Sequence, residues 1–138
     1  MKGCGLMTQV HFSVKALIIK DNQFLAIHKC NATGDFFDLP GGKMKANESS
    51  EETLHREVKE ETNLSIASLK LLDTWQYVNE HYLIMGVLYA CEIAEQDVEI
   101  TLSPEHDYYE WLPLSVSSAT KMKDSLAASI SHLNFSAV

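Results

Sequence analysis

Residues 41–64 read GGKMKANESSEETLHREVKEETNL, and the stretch from Ser49 to Asn63 is a helix with its charges in unusual places. Ser49 followed three residues later by Glu52 is a capping box, in which each side chain satisfies an N–H orphaned at a helix start. Leu54, Val58 and Thr62 recur every four residues and form a narrow stripe suited to packing on a sheet. Asn63 ends the helix, since asparagine tolerates the left-handed backbone that often closes one. Glu57, Glu60 and Glu61 fill the last two turns, where the macrodipole favours cations. At i, i+3 and i+4 they also share one face, within roughly 100°, and repel one another. Each effect costs only a few tenths of a kcal/mol at an exposed site, but both oppose the helix. Local rules broken together in this way point to a functional site.

A hard divalent cation removes the conflict. Mg²⁺ takes oxygen ligands, keeps several waters and is held by a few carboxylates plus substrate phosphates. The competing reading is a solvated acidic face, partly offset by Arg56 and Lys59, and it is the commoner one for an arbitrary Glu-rich helix. The flanking spacing decides between them. From Gly42 the chain gives five residues, then Glu48, seven residues, then Arg56-Glu57-Val58-Lys59-Glu60-Glu61-Thr62-Asn63-Leu64. This resembles the Nudix box, G-x5-E-x7-R-E-U-x-E-E-x-G-U with U aliphatic, and departs from it only where Asn63 replaces a glycine. Asparagine is the next-best residue for a left-handed helix end, so the departure is physically small. Six Gly or charged positions, each roughly one in fifteen by composition, match by chance on the order of once in 100,000 chains. Outside the box, Phe37-Asp38-Leu39-Pro40-Gly41-Gly42-Lys43 is similar to the strand-to-loop approach of that family. Ser103-Pro104-Glu105-His106 and Trp111 resemble one of its later segments.

The resemblance implies an α/β fold, a Nudix-type α/β/α sandwich with a mixed β-sheet between helices, as one domain over residues 1–138. It implies Mg²⁺-dependent attack of water on a diphosphate linkage in a nucleoside diphosphate derivative, with Mn²⁺ as a substitute cation. The metal would be held by Glu57, Glu61 and the Gly41 carbonyl, with Glu60 as a further ligand through water. Arg56 would orient a catalytic carboxylate and Glu48 would support the metal site. The general base is Glu105 or Glu60, and the residues leave that choice open. Lys43, His28 and Lys29 are candidate substrate-binding residues, the last two weighed against an ordinary solvated strand end. Trp75, Tyr77, Tyr82 and Trp111 include candidates for a base-stacking platform, although more of them belong to a core. His106, beside a turn, reads as structural before it reads as substrate-binding. A homodimer is common in the family. The alternative function is a nucleotide-sensing module of the same fold that does not cleave. Such modules commonly lose box glutamates, whereas Glu57, Glu60 and Glu61 are all present.

The rest of the chain agrees with this frame. Val14 to Ile19 reads as a strand, turned at Asp21-Asn22 into a hairpin partner, Phe24 to Ile27. Asn31 to Asp35 is loop-like, and Phe36 to Leu39 is a short apolar stretch stopped by Pro40-Gly41-Gly42. Ile66 to Tyr77 and Tyr82 to Ile93 form a long hairpin about Asn79-Glu80, Asp107 to Leu112 a further strand, and Ser115 to Leu133 a closing amphipathic helix. At 138 residues, 46% hydrophobic and 22% charged, the composition fits one folded domain and excludes disorder or fibre. The net charge of -8 disfavours nucleic-acid polymers and anionic membranes but admits a small phosphorylated ligand screened by a metal. Cys4, Cys30 and Cys91 lack metal or redox spacing and read as reduced thiols of a cytoplasmic protein, Cys30 and Cys91 serving as packing residues. The longest apolar run, Tyr82 to Cys91, is about half of a bilayer span, and no secretory signal is expected.

Overall fold

The computed structural model describes residues 9–30 and 34–138, so Cys4 and part of the expected 31–35 loop lie outside the described residues. Strand β1 (Gln9–Lys20) turns through Asp21 and Asn22, both at positive φ (51° and 61°), into β2 (Gln23–Lys29). Asp and Asn are among the few non-glycine residues that accept two such angles, and the turn's twist matches that of the strands it joins. The two strands pair only beside this turn, at Ile19 with Phe24 and Lys20 with Gln23.

Beyond that point β1 and β2 part, and residues 37–43 fill the gap. Ile27 donates to the Asp38 carbonyl and Asp38 to the Ile27 carbonyl, at 2.9 and 2.8 Å. The Ala16 N–H donates to the Pro40 carbonyl at 2.8 Å, and β3 (Gly41–Lys43) continues along β1, antiparallel to Ser13–Lys15. Gly41 has φ +142°, and a Cβ there would lie 2.0 Å from the Val14 carbonyl oxygen. Only glycine permits that approach.

The other edge of β1 runs parallel to β5 (Tyr82–Ile93) from Gln9 opposite Tyr82 to Ile18 opposite Cys91. Strand β4 (Ile66–Val78) is the hairpin partner of β5, and β6 (His106–Pro113) flanks β2. The strand order is β4-β5-β1-β2-β6 with β3 set against β1, which makes the sheet mixed.

Period-two alternation along β1 and β2 supplies both faces. Val14, Ala16, Ile18, Leu25 and Ile27 meet Leu54 and Val58 of helix α1 (Ser50–Thr62). Leu17, Phe24 and Ala26 join Leu39, Leu88 and Leu126 on the opposite face, under helix α2 (Asp124–His132). The layered α/β/α arrangement expected above is present. No helix among the described residues is long and apolar enough to cross a membrane.

One expected element is different. The single helix over Ser115 to Leu133 is instead a 3-10 turn (Val116–Lys121), an extended Met122 and then α2. The Phe37 N–H donates to the Lys121 carbonyl at 2.8 Å, and the Lys123 N–H donates to the Phe37 carbonyl at 2.9 Å. This bridge holds Met122 extended and 1% exposed, so a partner distant in sequence overrides local helix preference.

Candidate active site

Helix α1 starts and stops where its sequence requires. Ser49 Oγ accepts from Glu52 N at 3.1 Å, Glu52 Oε1 accepts from Ser49 N at 2.9 Å, and Asn63 closes the helix at φ 69°. Packing of Leu54 and Val58 against β1 then presents the glutamates to the loop lodged between β1 and β2.

Glu61 is buried, and its Oε1 accepts from the Gly41 N–H at 2.8 Å. Its pKa is pushed up to about 7, chiefly by burial, against which the Gly41 bond and the charge of Lys15 act. Glu57 lies against Gly42, where an added Cβ would be 2.5 Å from the carboxyl carbon. The two carboxylates thus converge on consecutive glycines. Arg56 grips the acidic group from the side. It donates to Glu48 from Nε (2.7 Å) and from its terminal nitrogen (2.9 Å), to Glu57 (3.0 Å) and to Glu60 (3.2 Å). Glu48 also accepts from Thr53 Oγ1 at 2.7 Å, and its carboxyl is held down at about 2, first by the Arg56 hydrogen bonds. Arg56 therefore pairs with Glu60, of the two i±4 partners available, while Glu52 serves the cap.

Glu57, Glu61, Gly41 and Gly42 line a cleft of about 870 Å³. Lys43, Lys29 and Glu105 also line it, so three candidates from the sequence stand in its wall. Glu60 does not; its side chain is 53% exposed on the outer side of Arg56. His28, expected as a substrate-binding candidate, is likewise not among the lining residues. Its Nδ1 is 2.7 Å from Asp107 Oδ1, its Nε2 is 3.2 Å from the Gly34 carbonyl, and its ring stacks on Tyr108. Both partners are acceptors, an arrangement that favours a proton on each ring nitrogen.

The hydrogen bond that His28 donates to Asp107, then that to Gly34, raises the His28 pKa above 6.5, while Asp107 is lowered by His28. A raised histidine contributes stability that is complete below its unfolded pKa and lost as pH rises through the folded one. Thermal melts from about pH 6 to about pH 8.5 should therefore show a larger fall for the wild type than for His28→Gln. Equal falls would mean that the pair contributes nothing.

Lys15, Asp38 and Lys123 also line the cleft and are not among the site residues expected from sequence. Lys15, on β1, is bonded to Asp38 and to the Leu39 carbonyl, and Lys123, just before α2, reaches the same carboxylate. Burial pushes the Asp38 pKa up, but the charges of Lys15 and Lys123, together with the hydrogen bonds from Leu39 and Lys123, outweigh it and leave the carboxyl below its usual value. A lysine inside the otherwise apolar run Val14 to Ile19 was the available signal for this cluster. His106 is buried in the cleft wall, where burial lowers its pKa. Trp75, Tyr77 and Tyr82 form an aromatic end to the cleft, with Tyr77 and Tyr82 centroids 6.0 Å apart. The Trp75 ring lies over Gly86, where a Cβ would come within 2.0 Å of it. Trp111 packs instead against the core on the α1 side, as does Cys91.

The donors gathered at Gly41 and Gly42 are all oxygens, from two carboxylates and the peptide backbone. Among the described residues no three His, Cys, Asp or Glu side chains converge as a ready-made metal cage. The oxygen donors fit Mg²⁺, which is usually held by one or two carboxylates plus substrate phosphates.

Comparison with known proteins agrees with this geometry, since the pattern of the NUDIX domain matches residues 9–133. The chain belongs to the NUDIX domain family. An asymmetrical bis(5'-nucleosyl)-tetraphosphatase of Rattus norvegicus is 30% identical over 118 residues, 83% of this chain and 80% of that protein. A Bacillus subtilis protein provisionally named as an 8-oxo-dGTP diphosphatase is 34% identical over 74 residues, 54% of this chain and 43% of that one, so the chain spans less than half of its length. The crystal structure of a MutT protein from Methanosarcina mazei superposes with a TM-score of 0.78 at 22% identity, covering 96% of both chains. In this Nudix hydrolase the box helix and the glycine loop therefore occupy the family fold.

Proposed function

We propose that this Nudix hydrolase cleaves a diphosphate linkage in a nucleoside diphosphate derivative, with Mg²⁺ as its cation and Mn²⁺ as a substitute. The observation that carries this reading is the convergence of Glu57 and Glu61 on the Gly41-Gly42 loop in the wall of a large cleft. The names of the two relatives support it, since 8-oxo-dGTP and a dinucleoside tetraphosphate both carry phosphoanhydrides on a nucleoside.

Glu57, Glu61 and the Gly41 carbonyl would hold the cation, with Glu60 joining through water. When bound, the cation would polarise a phosphoryl oxygen and lower the pKa of a water. Arg56 keeps Glu57 in place by a charge-assisted hydrogen bond, and Glu48 fixes Arg56 from the far side. For the proton of the attacking water, Glu105 is favoured over Glu60 because it stands in the cleft wall. The aromatic end formed by Trp75, Tyr77 and Tyr82 suits a nucleobase, with stacking worth about 1–3 kcal/mol per base in nucleic-acid systems. Lys29 and Lys43 supply positive charge along the wall.

The test is a panel of nucleoside triphosphates, dinucleoside polyphosphates and nucleotide sugars, following phosphate and pyrophosphate release with and without Mg²⁺. Metal-dependent release from at least one class is expected. Binding across the panel with no release would replace this reading by a nucleotide-sensing module.

A further inference from the structure

We propose that Lys15 and Lys123, held together on the buried carboxylate of Asp38, form a seat for a phosphate beyond the scissile diphosphate, so that the substrate is a nucleoside polyphosphate and not a nucleotide sugar. The inference rests on the hydrolase reading above and specifies its substrate class.

Asp38 is engaged by three hydrogen-bond donors. Its Oδ1 accepts from the Leu39 N–H at 2.8 Å and faces Lys15 Nζ at 3.2 Å, and its Oδ2 meets Lys15 at 3.3 Å and Lys123 at 3.2 Å. The lysines are not used up. An ammonium carries three donors. Lys15 spends its own on Asp38 and the Leu39 carbonyl at 3.2 Å, which leaves one, and Lys123 contacts only Asp38, which leaves two. Two cations on one carboxylate give this trio of side chains a charge of +1 with surplus donors. That chemistry takes an anion.

The position suits a phosphate chain. Lys15 is the register partner of Gly41 across β1 and β3, so it stands next to the loop where Glu57 and Glu61 meet. Lys123 lies one carboxylate further along the same cleft wall. Its side chain is half exposed, whereas that of Lys15 is 13% exposed. Lys15 thus serves as the fixed inner donor and Lys123 as the outer one. In a protein of net charge -8 these two lysines place positive charge beside Glu57 and Glu61 in the same cleft. A phosphate next to the scissile linkage offers charged oxygens to both ammonium groups, whereas the sugar of a nucleotide sugar offers neutral hydroxyls. Charge-assisted hydrogen bonds are about twice as strong as neutral ones.

Two measurements on the intact protein test the proposal. In calorimetry with inorganic tripolyphosphate in metal-free buffer, Lys123→Gln should bind roughly tenfold more weakly than the wild type. In kinetics with Mg²⁺, the wild type should show a kcat/KM on a nucleoside triphosphate at least about tenfold above that on a nucleotide sugar, and the same variant should lose about tenfold on the triphosphate, mainly through KM. Lys123→Gln leaves Asp38 paired with Lys15, so the fold is kept, and Lys123→Arg should restore both values. Equal affinity of wild type and variant for tripolyphosphate, or a wild type that prefers the nucleotide sugar, overturns the phosphate seat while leaving the hydrolase reading intact. Binding of tripolyphosphate through Lys123 with no nucleotide cleaved by the wild type keeps the seat and removes the hydrolase reading.

Discussion

Glu57→Gln and Glu61→Gln are each expected to lower metal-dependent turnover by at least about 100-fold, since even residues behind a metal ligand are worth 10–100-fold. Both side chains meet at the glycine loop, and a glutamine keeps their shape while removing the charge. Steady-state rates with saturating Mg²⁺ check the first half of the prediction. The second half concerns the protein without metal. Burial raises the Glu61 carboxyl from about 4.5 to about 7, so the folded state binds its proton more tightly than the unfolded chain does. Stability is therefore lost as pH climbs from the unfolded value through the folded one. Glu61→Gln has no such loss. Above about pH 7 the metal-free variant should be more stable than the wild type, by up to about 3 kcal/mol, and the gain should vanish below about pH 4.5. A metal-free variant that melts below the wild type at high pH would show that Glu61 is not held ionised against its burial. Full activity in both variants would remove these carboxylates from the metal site.

Removing Asp38 should produce the largest loss of stability. Its side chain is 11% exposed and pairs with a lysine whose side chain is 13% exposed. Deleting one partner of a buried pair costs about 3–5 kcal/mol, because the other charge remains buried and unpaired. In Asp38→Ala the half-exposed Lys123 can turn to water, but Lys15 cannot, so about 3 kcal/mol is expected, or roughly 10 °C in Tm. The double variant Lys15→Met/Asp38→Leu removes both inner charges and should recover most of that loss. Thermal denaturation of the two variants measures the coupling directly. A Tm for Asp38→Ala within about a degree of wild type would contradict the buried pair.

These two predictions draw on parts of the molecule that differ in how far they could be read in advance. The α1 glutamates are legible because their relations are local: Ser49 with Glu52, and Glu57 with Glu60 and Glu61, lie within one turn of each other. Helix geometry alone then puts them on one face. The Asp38 cluster is different in kind. Lys15 and Asp38 are 23 residues apart, and Asp38 and Lys123 are 85 apart. The partner of His28 is 79 residues away, and nothing in the local pattern of β2 names it. The break in the expected closing helix has the same origin, since Met122 is held extended by Phe37.

The sequence by itself determined the box helix with both its ends, the β1–β2 turn, the long β4–β5 hairpin and the crowding of carboxylates at a helix C-terminus. Each follows from interactions a few residues long, which a chain carries wherever it is placed. Only the tertiary structure decided that β1 and β2 separate to admit the glycine loop, that Glu60 faces outward while Glu61 is buried, and that two lysines from different elements share one carboxylate. Those arrangements depend on which distant backbone groups satisfy one another's hydrogen bonds and on which charges are removed from water together. Such choices are made by the folded sheet and not by spacing along the chain.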